Sequence, residues 1–354
     1  MAAYEVYSFD TSVQRLFAST SATRDECDEK AASLVGGRIT PVPHQGDHSY
    51  TVYGGPQDES VVQFRLEPFP LSTEVATLAR QVHGDLAPLT TYHGQLGNIG
   101  DRPVFVYTFN RFPGINYAEF QLANMGDETE NSEENKVVRK NLIEDVARFF
   151  AASWKSPQPL DLEIKEELQR AYHKDLELLL QHLPERFHPC IQQCLDSISP
   201  IFALLPTVLL HNDLCFFHYM VDETSGRLTG VVEWATANIR PFGLNLFELH
   251  NISESTQAKN KRGLYEDHEA IHANFWRVFQ DEVGPLSPEV IHAIEMARNL
   301  GLFRSRGFTR RLPTEPAPVP IKDDERGRYN LEVLDASLIR PQTRMKGLRD
   351  MATG

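Results

Sequence analysis

The chain contains 354 residues, of which 41% are hydrophobic and 24% charged, and its mean hydropathy is −0.37. A chain of this length can bury a sizeable core and more naturally forms two lobes than one. Its net charge of −14 argues against nucleic acid or an anionic membrane surface as the main partner. The sequence also lacks an apolar run of the ~18 residues that a membrane-spanning helix needs.

The cysteines and the start of the chain predict a soluble, cytoplasmic protein. None of the four cysteines belongs to a C-x-x-C pair, and "MAAYEVYSFD" lacks the charged-then-apolar pattern of a signal segment. Cys190 and Cys194 lie one helical turn apart, which favours buried thiols over metal ligands.

The first 115 residues predict a small sheet that carries one helix. Strand patterns occur in "RITPVPHQGDHSYTVYGG", "SVVQFRLEP" and "RPVFVYTFNRFPG". In "STEVATLARQVHG" the apolar spacing predicts a helix, with Ser72 as its N-cap and Gly84 as its stop.

The remainder of the chain, 116–354, predicts a mainly helical lobe, so the fold class is α+β. The acidic segment "GDETENSEENK" (126–136) predicts a solvated loop, and helical periodicity follows it. The proline-rich, charged tail from 310 to 328 is expected to be mobile or to lie on the surface. The helical patterns are "KVVRKNLIEDVARFFAASW", "DLEIKEELQRAYHKDLELLLQHLP", "PCIQQCLDSISPIFALLP", "HEAIHANFWRVFQDEVG" and "SPEVIHAIEMARNLGLF".

Two short apolar runs within the helical lobe end in charged residues. The segment "LLHNDLCFFHYMVD" (209–222) places Asp213 and His218 after a predicted strand. After the turn "DETSG", the strand "TGVVEW" delivers Glu233 beside Trp234. A single acid at a strand end is a weak signal, but the combination has the layout of a catalytic loop followed by a metal-binding loop.

These residues resemble the aminoglycoside phosphotransferase family, a branch of the protein-kinase-like fold. The family pattern is H-x-D-x-x-x-x-N, followed by a strand pair that ends in D-W or D-x-G. "HQGDHSYTVY", "VVQFR" and "GRLTGVVEWA…RPFG" are similar to its fungal branch, and the resemblance covers about residues 40 to 305. It implies a bilobal kinase-like fold and, as one alternative, phosphoryl transfer with ATP and Mg²⁺.

The resemblance assigns roles to the loop residues. Asp213 stands where the family's Asp receives the substrate hydroxyl proton, and His211 would orient the loop. His218 replaces the expected Asn and Glu233 replaces the expected Asp. Imidazole nitrogen is a poor Mg²⁺ ligand and the longer Glu displaces its carboxylate, so a degenerate site without metal is predicted.

The same resemblance suggests a nucleotide-binding set in the small lobe. Arg65 would take the place of the family's strand lysine, with Glu74 on the following helix as its partner. The alternative is that Arg65 and Glu74 form a surface ion pair that contributes little to stability. Tyr107 and Thr108 of the hinge strand would offer backbone groups to adenine. A phosphate-binding loop needs glycines so that its backbone amides can approach the phosphate closely, and "PHQGDHSY" contains only one glycine, Gly46.

Three function classes fit this sequence, and all leave the oligomeric state open. The first is a fungal secondary-metabolism enzyme without cofactor, which uses acid–base chemistry for cyclisation, elimination or isomerisation. The second is an ATP- and Mg²⁺-dependent small-molecule kinase, and the third is a pseudokinase that binds a ligand or partner. The predicted acid–base set is Asp213, His218, Glu233 and His211. An apolar substrate would contact the aromatic residues Phe216, Phe217, Tyr219 and Trp234. The alternative is that these aromatic side chains only pack the core of the lobe.

Overall fold

The computed structural model describes residues 7–67, 69–98, 100–124, 126, 129–254, 263–310 and 318–345. The chain forms two compact units. The first contains the chain up to Pro113 and the short segment Thr229–Thr236, and the second contains Gly114–Leu228 and the chain from Ala237 onwards. The predicted small lobe, 1–115, did not include the segment 229–236.

The first unit is built on a five-stranded sheet with strand order β1-β2-β3-β5-β4, in which every neighbouring pair is antiparallel. Its elements are α1 (Phe9–Phe17), α2 (Arg24–Val35), β1 (Thr40–Pro41), β2 (Ser49–Gly54), β3 (Ser60–Leu66), α3 (Thr73–His83), β4 (Thr90–Leu96) and β5 (Val104–Asn110).

Helix α3 confirms the predicted helix and both of its ends. The side chain of Ser72 accepts a hydrogen bond from the Val75 amide, and Gly84 ends the helix with φ of 56°, a value that favours glycine.

The prediction of a single helix in this unit was wrong, because α1 and α2 precede the sheet. Helix α2 begins with a capping box in which Thr23 and Glu26 bond reciprocally, and its apolar face is narrow. Cys27 and Ala31 of α2 are buried in a core with Val52 and Phe64 of the sheet. A face of only two small residues gives a weak helical periodicity, which explains why the pattern was missed.

The second unit is mainly helical. A short ribbon pairs β10 antiparallel with β7, and β6 pairs antiparallel with β8. Its elements are β6 (Ile115–Asn116), α4 (Tyr117–Asn124), α5 (Glu133–Trp154), α6 (Leu162–His182), α7 (His188–Leu204), β7 (Thr207–Leu210), β8 (Tyr219–Val221), β9 (Leu228–Val231, whose last three residues belong to the first unit), β10 (Asn238–Pro241), α8 (Leu249–Ser253), α9 (His268–Val283), α10 (Pro288–Arg306), β11 (Phe308–Arg310), β12 (Val319–Pro320) and α11 (Arg328–Leu334).

Helices α5 and α9 form the aromatic centre of the second unit. Phe150 of α5 meets Phe275 of α9 edge-to-face, with ring centroids 5.8 Å apart, and Trp154 meets Phe279 in the same way at 5.9 Å. Such pairs add to the hydrophobic stabilisation of buried rings. Within the described parts of the chain, no helix combines the length and apolarity needed to cross a membrane.

The predicted acidic loop ends earlier than expected. Its residues 127 and 128 lie outside the described residues, and α5 already begins at Glu133. The Ser132 side chain accepts a hydrogen bond from the Asn135 amide, and acidic residues in a first turn favour a helix.

The described part of the predicted tail, residues 318–328, lies mostly at the surface, and only Ile321 and Gly327 are buried in it. Residues 311–317 and 346–354 lie outside the described residues. The chain that follows the tail packs into the second unit, because Leu331 and Leu334 of α11 are buried and α11 packs against α10. The apolar residues at helical spacing in α11 give that helix a face to bury.

Candidate catalytic loop and the Arg65 network

The loop between β7 and β8 carries three of the predicted catalytic residues. His211 is buried at its start, and the side-chain amide of Asn245 donates a hydrogen bond to the His211 carbonyl at 3.2 Å. The imidazole ring centroids of His211 and His218 lie 5.9 Å apart. A buried, anchored His211 suits the loop-orienting role that the sequence suggested.

Asp213, Cys215 and His218 come together in this loop. The His218 amide donates to the Cys215 carbonyl at 2.9 Å, and this tight turn brings the His218 side chain back over the loop. Nδ1 of His218 lies 3.5 Å from Cys215 Sγ and 3.9 Å from Asp213 Oδ2, and it also contacts the Asp213 carbonyl oxygen. The sequence placed Cys215 near His218 but suggested no role for it, although the spacing D-x-C-x-x-H is present in the loop.

These contacts control the charge of His218. Burial alone would lower the pKa of His218, but the contact with Cys215 and the negative charge of Asp213 outweigh burial and raise that pKa to about 9. The side chain of His218 is only 16% exposed, whereas that of Asp213 is 61% exposed. At neutral pH His218 is therefore an imidazolium, and it lies beside the exposed side chain of Asp213.

A buried carboxyl group near the loop was not predicted. Glu248 lies in a short turn before α8, where burial raises its pKa to about 7, and the side-chain amide of Asn251 donates to it. Burial, followed by the charge of Glu248, also raises the pKa of Tyr219. A lone Glu in an apolar stretch gave no sequence signal.

The predicted aromatic pocket residues occupy different environments. The rings of Phe216 and Phe217 are 4.6 Å apart, and Phe217 is 56% exposed, so these two form an accessible apolar surface. Tyr219 is buried in the second unit. In the first unit, Trp234 is buried, and its indole N–H donates to the Val231 carbonyl at 2.8 Å. For Tyr219 and Trp234, packing is therefore the observed role.

Arg65 and Glu233 form an ion pair inside the first unit. Arg65 Nη1 lies 3.3 Å from Glu233 Oε2 and donates to Gln63 Oε1 at 2.8 Å, while its Nε donates to the Phe69 carbonyl at 2.8 Å. The amide of Gln63 donates to Glu233 Oε1 at 3.1 Å. Glu233 has φ of 67°, a strained backbone conformation for a residue other than glycine.

The prediction that Glu74 is the partner of Arg65 was wrong. Glu74 is exposed at the start of α3 and accepts a hydrogen bond from Ser72 Oγ at 2.7 Å. Gln63 and Arg65 lie on the same face of β3 because strand side chains alternate. The alternation can be read from the segment "VVQFR", but the sequence does not show that Glu233 is the partner of Arg65.

The predicted adenine-binding role of Tyr107 and Thr108 is also wrong. Both residues lie in the middle of β5, which pairs with β3 on one side and β4 on the other. Their backbone groups therefore serve the sheet. The Tyr107 hydroxyl is buried against the backbone of Leu71, and His93 Nε2 contacts the Thr108 hydroxyl at 2.8 Å.

The residues present do not fit the Mg²⁺ that the fold family implies. Mg²⁺ requires oxygen ligands in a near-octahedral arrangement. Both carboxylate oxygens of Glu233 are engaged by Gln63 and Arg65, and His218 offers only a nitrogen that already contacts Asp213 and Cys215. Glu233 belongs to the first unit and His218 to the second, and the predicted convergence of Glu233 with Asp213 and His218 stays a prediction.

Comparisons with known proteins agree with this fold. A structure of the GDP complex of aminoglycoside 2'-phosphotransferase-IIIa is 12% identical, with 88% of this chain and 95% of that chain covered and a TM-score of 0.51. A candidate aminoglycoside phosphotransferase from Ralstonia eutropha is 12% identical, with 87% of this chain and 93% of that chain covered and a TM-score of 0.53. A glucosamine kinase is 14% identical, with 87% of this chain and 76% of that chain covered and a TM-score of 0.52.

No curated protein sequence matches the chain. The family model described as "Phosphotransferase enzyme family" matches residues 99–270, which include the catalytic loop and Glu233. Structural neighbours at such low identity show the fold alone. Residues 99–270 are therefore similar to the phosphotransferase enzyme family, and the chain has the kinase-like fold seen in the aminoglycoside phosphotransferases.

Proposed function

We propose that this protein is a small-molecule enzyme that performs proton transfer on a kinase-like scaffold without Mg²⁺–ATP chemistry. The observation that carries the proposal is the contact of His218 with Cys215 and Asp213 in the catalytic loop. A kinase would hold an Asn oxygen ready for the metal at this position, whereas here a cationic imidazole lies beside a carboxylate.

The two groups have complementary roles. With its raised pKa, His218 enters the reaction protonated and donates a proton as general acid. The exposed Asp213 carboxylate accepts a proton from another atom of the same substrate, so the proton count balances. Cyclisation, elimination and isomerisation all need such an acid and base together.

The substrate side of the proposal is an apolar metabolite, in keeping with fungal secondary metabolism. Phe216 and Phe217, which lie between Cys215 and His218 in sequence, supply accessible apolar surface. The proposal includes a cytoplasmic location, supported by the four cysteines, all of which are free thiols.

A second candidate is an ATP-dependent small-molecule kinase, which the family match over residues 99–270 favours. A ligand that binds only the folded state raises the melting temperature in proportion to the logarithm of its concentration. We expect ATP with Mg²⁺ to leave the melting temperature unchanged. A concentration-dependent rise that requires Mg²⁺ would favour the kinase instead.

Restoring the family residues separates the candidates further. The variant His218→Asn/Glu233→Asp regains both ligand types that bind Mg²⁺ in the family. Under the acid–base proposal this variant loses turnover of the native substrate and gains no ATP-dependent phosphorylation, because the general acid is gone. His182→Asn, an exposed site on α6, is the control for the loss of a histidine. Phosphoryl transfer that appears in the double variant would identify a weakened kinase.

The charge of His218 can be measured without a substrate. We expect its imidazole NMR signals to titrate with a midpoint near 9, rather than at the usual value near 6.5. Because the folded pKa lies above the usual one, the stabilisation from His218 is complete below pH 6.5 and is lost as the pH rises through about 9. Cys215→Ser removes the largest raising contact and should lower the midpoint. A midpoint near 6.5 in the unaltered protein would contradict the assignment of His218 as a protonated acid.

A further inference from the structure

We propose that Asp213, Cys215 and His218 form a binding site for a zinc-type transition metal ion. One ligand atom from each side chain, a carboxylate oxygen, a thiol sulfur and an imidazole nitrogen, lies within 4.8 Å of the other two. All three residues come from a single loop of the second unit, so the site is independent of the Arg65 network.

The geometry favours a metal site over a Cys–His–Asp catalytic relay. In a relay, the nucleophile and the acid bond to opposite nitrogens of the imidazole. Here Cys215 Sγ and Asp213 Oδ2 both face Nδ1, at 3.5 Å and 3.9 Å. In a tetrahedral zinc site, bonds of about 2.0 to 2.3 Å place neighbouring ligand atoms roughly 3.3 to 3.8 Å apart. The sulfur–nitrogen distance fits this range, and the exposed Asp213 side chain must move closer to complete the site.

The donor set also selects the class of metal. Thiolate and imidazole ligands favour Zn²⁺ and its borderline neighbours over Mg²⁺, which prefers oxygen. The Asp213 carbonyl oxygen now contacts His218 Nδ1, and this contact gives way when the metal replaces the Nδ1 proton. Metal binding therefore releases the protons of Nδ1 and of the Cys215 thiol to solvent. Three protein ligands leave a fourth position for water.

Occupancy of this site has a consequence for activity. The metal would occupy the side chains of His218 and Asp213, the two residues that the proposed function uses to donate and accept protons. Zinc should therefore inhibit turnover reversibly, and a chelator should restore it. This inhibition rests on the proposed function, whereas the metal site itself rests only on the three donors.

Cobalt(II) is the probe for the site, since thiolate-to-cobalt charge transfer gives an absorption band in the near ultraviolet. We expect one equivalent of Co²⁺ to produce this band in the full chain, and Zn²⁺ to abolish it by displacement. The band should disappear in Cys215→Ser, and Co²⁺ affinity should fall about tenfold or more in His218→Gln and in Asp213→Asn. Cys190→Ser, a partly buried thiol on α7, is the matched control and should leave the band unchanged.

A band that persists in Cys215→Ser, or the absence of saturable binding at one equivalent, would overturn the metal site. The circular dichroism spectrum and melting temperature of each metal-free variant identify any loss of folding. If Cys215→Ser does not fold, the Co²⁺ affinity of His218→Gln tests the site instead. Saturable binding without inhibition would leave the metal site standing but would overturn both the inhibitory role and the assignment of Asp213 and His218 to the chemistry. The two proposals can therefore fail separately.

Discussion

Asp213→Asn should reduce turnover by ~10²–10⁴-fold, the usual cost of removing a positioned acid or base. The amide keeps the shape of the side chain but cannot accept a proton. Because the Asp213 side chain is 61% exposed, the exchange should leave the melting temperature nearly unchanged. The measurement is product formation from a substrate found by screening fungal metabolite extracts, with kcat and KM determined separately.

Asp196→Asn provides the matched control, because Asp196 is an exposed carboxylate on α7 whose oxygen accepts from Gln192. Its turnover should equal that of the parent. If Asp213→Asn stays within a few-fold of the parent while folding normally, the chemistry does not occur in this loop, and the protein is better described as a pseudokinase that binds a ligand. A loss confined to KM would give Asp213 a role in binding rather than in proton transfer.

Local sequence patterns predicted the parts of the fold that short-range physics determines. Helix α3 was predicted with both of its ends, because an N-cap serine and a terminal glycine act over a single turn. Strand β3 was recognisable from its β-branched and aromatic residues. Helix α2 was missed because its burial involves the small residues Cys27 and Ala31, which leave little periodicity.

The site was predictable only in its order along the chain. The spacing of Asp213 and His218 indicated the loop, but the turn that folds His218 onto Cys215 depends on backbone bonds that no pattern specifies. The partner of Arg65 was assigned by analogy to Glu74, whereas the observed partner, Glu233, lies 168 positions away in sequence. Pairing over that distance is set by the tertiary fold, and local propensity carries no information about it.

Arg139→Leu should destabilise the second unit by about 3–5 kcal/mol, the range for breaking a buried ion pair. Arg139 on α5 is fully buried, and its Nη2 donates to Asp267 Oδ1 at 2.7 Å at the start of α9. Its guanidinium carbon lies 4.1 Å from the ring centroid of Tyr265, and Nη1 donates to the carbonyl of Glu130. Removing the guanidinium leaves the Asp267 carboxylate without its cation, a larger cost than the loss of one contact. The measurement is the free energy of unfolding from urea titration.

Two variants test the cause of that loss. In Arg139→Leu/Asp267→Asn the stranded charge is removed as well, so part of the lost stability should return, and the double-mutant cycle should give a coupling energy above about 1 kcal/mol. Arg148→Leu, on the same helix, removes a half-exposed guanidinium paired with Asp145, and it should cost no more than about 1 kcal/mol. Equal losses for Arg139→Leu and Arg148→Leu would show that burial of the pair contributes nothing. If the double variant is less stable than Arg139→Leu, the uncompensated Asp267 charge is not the source of the cost, and the lost packing of the guanidinium on Tyr265 becomes the explanation.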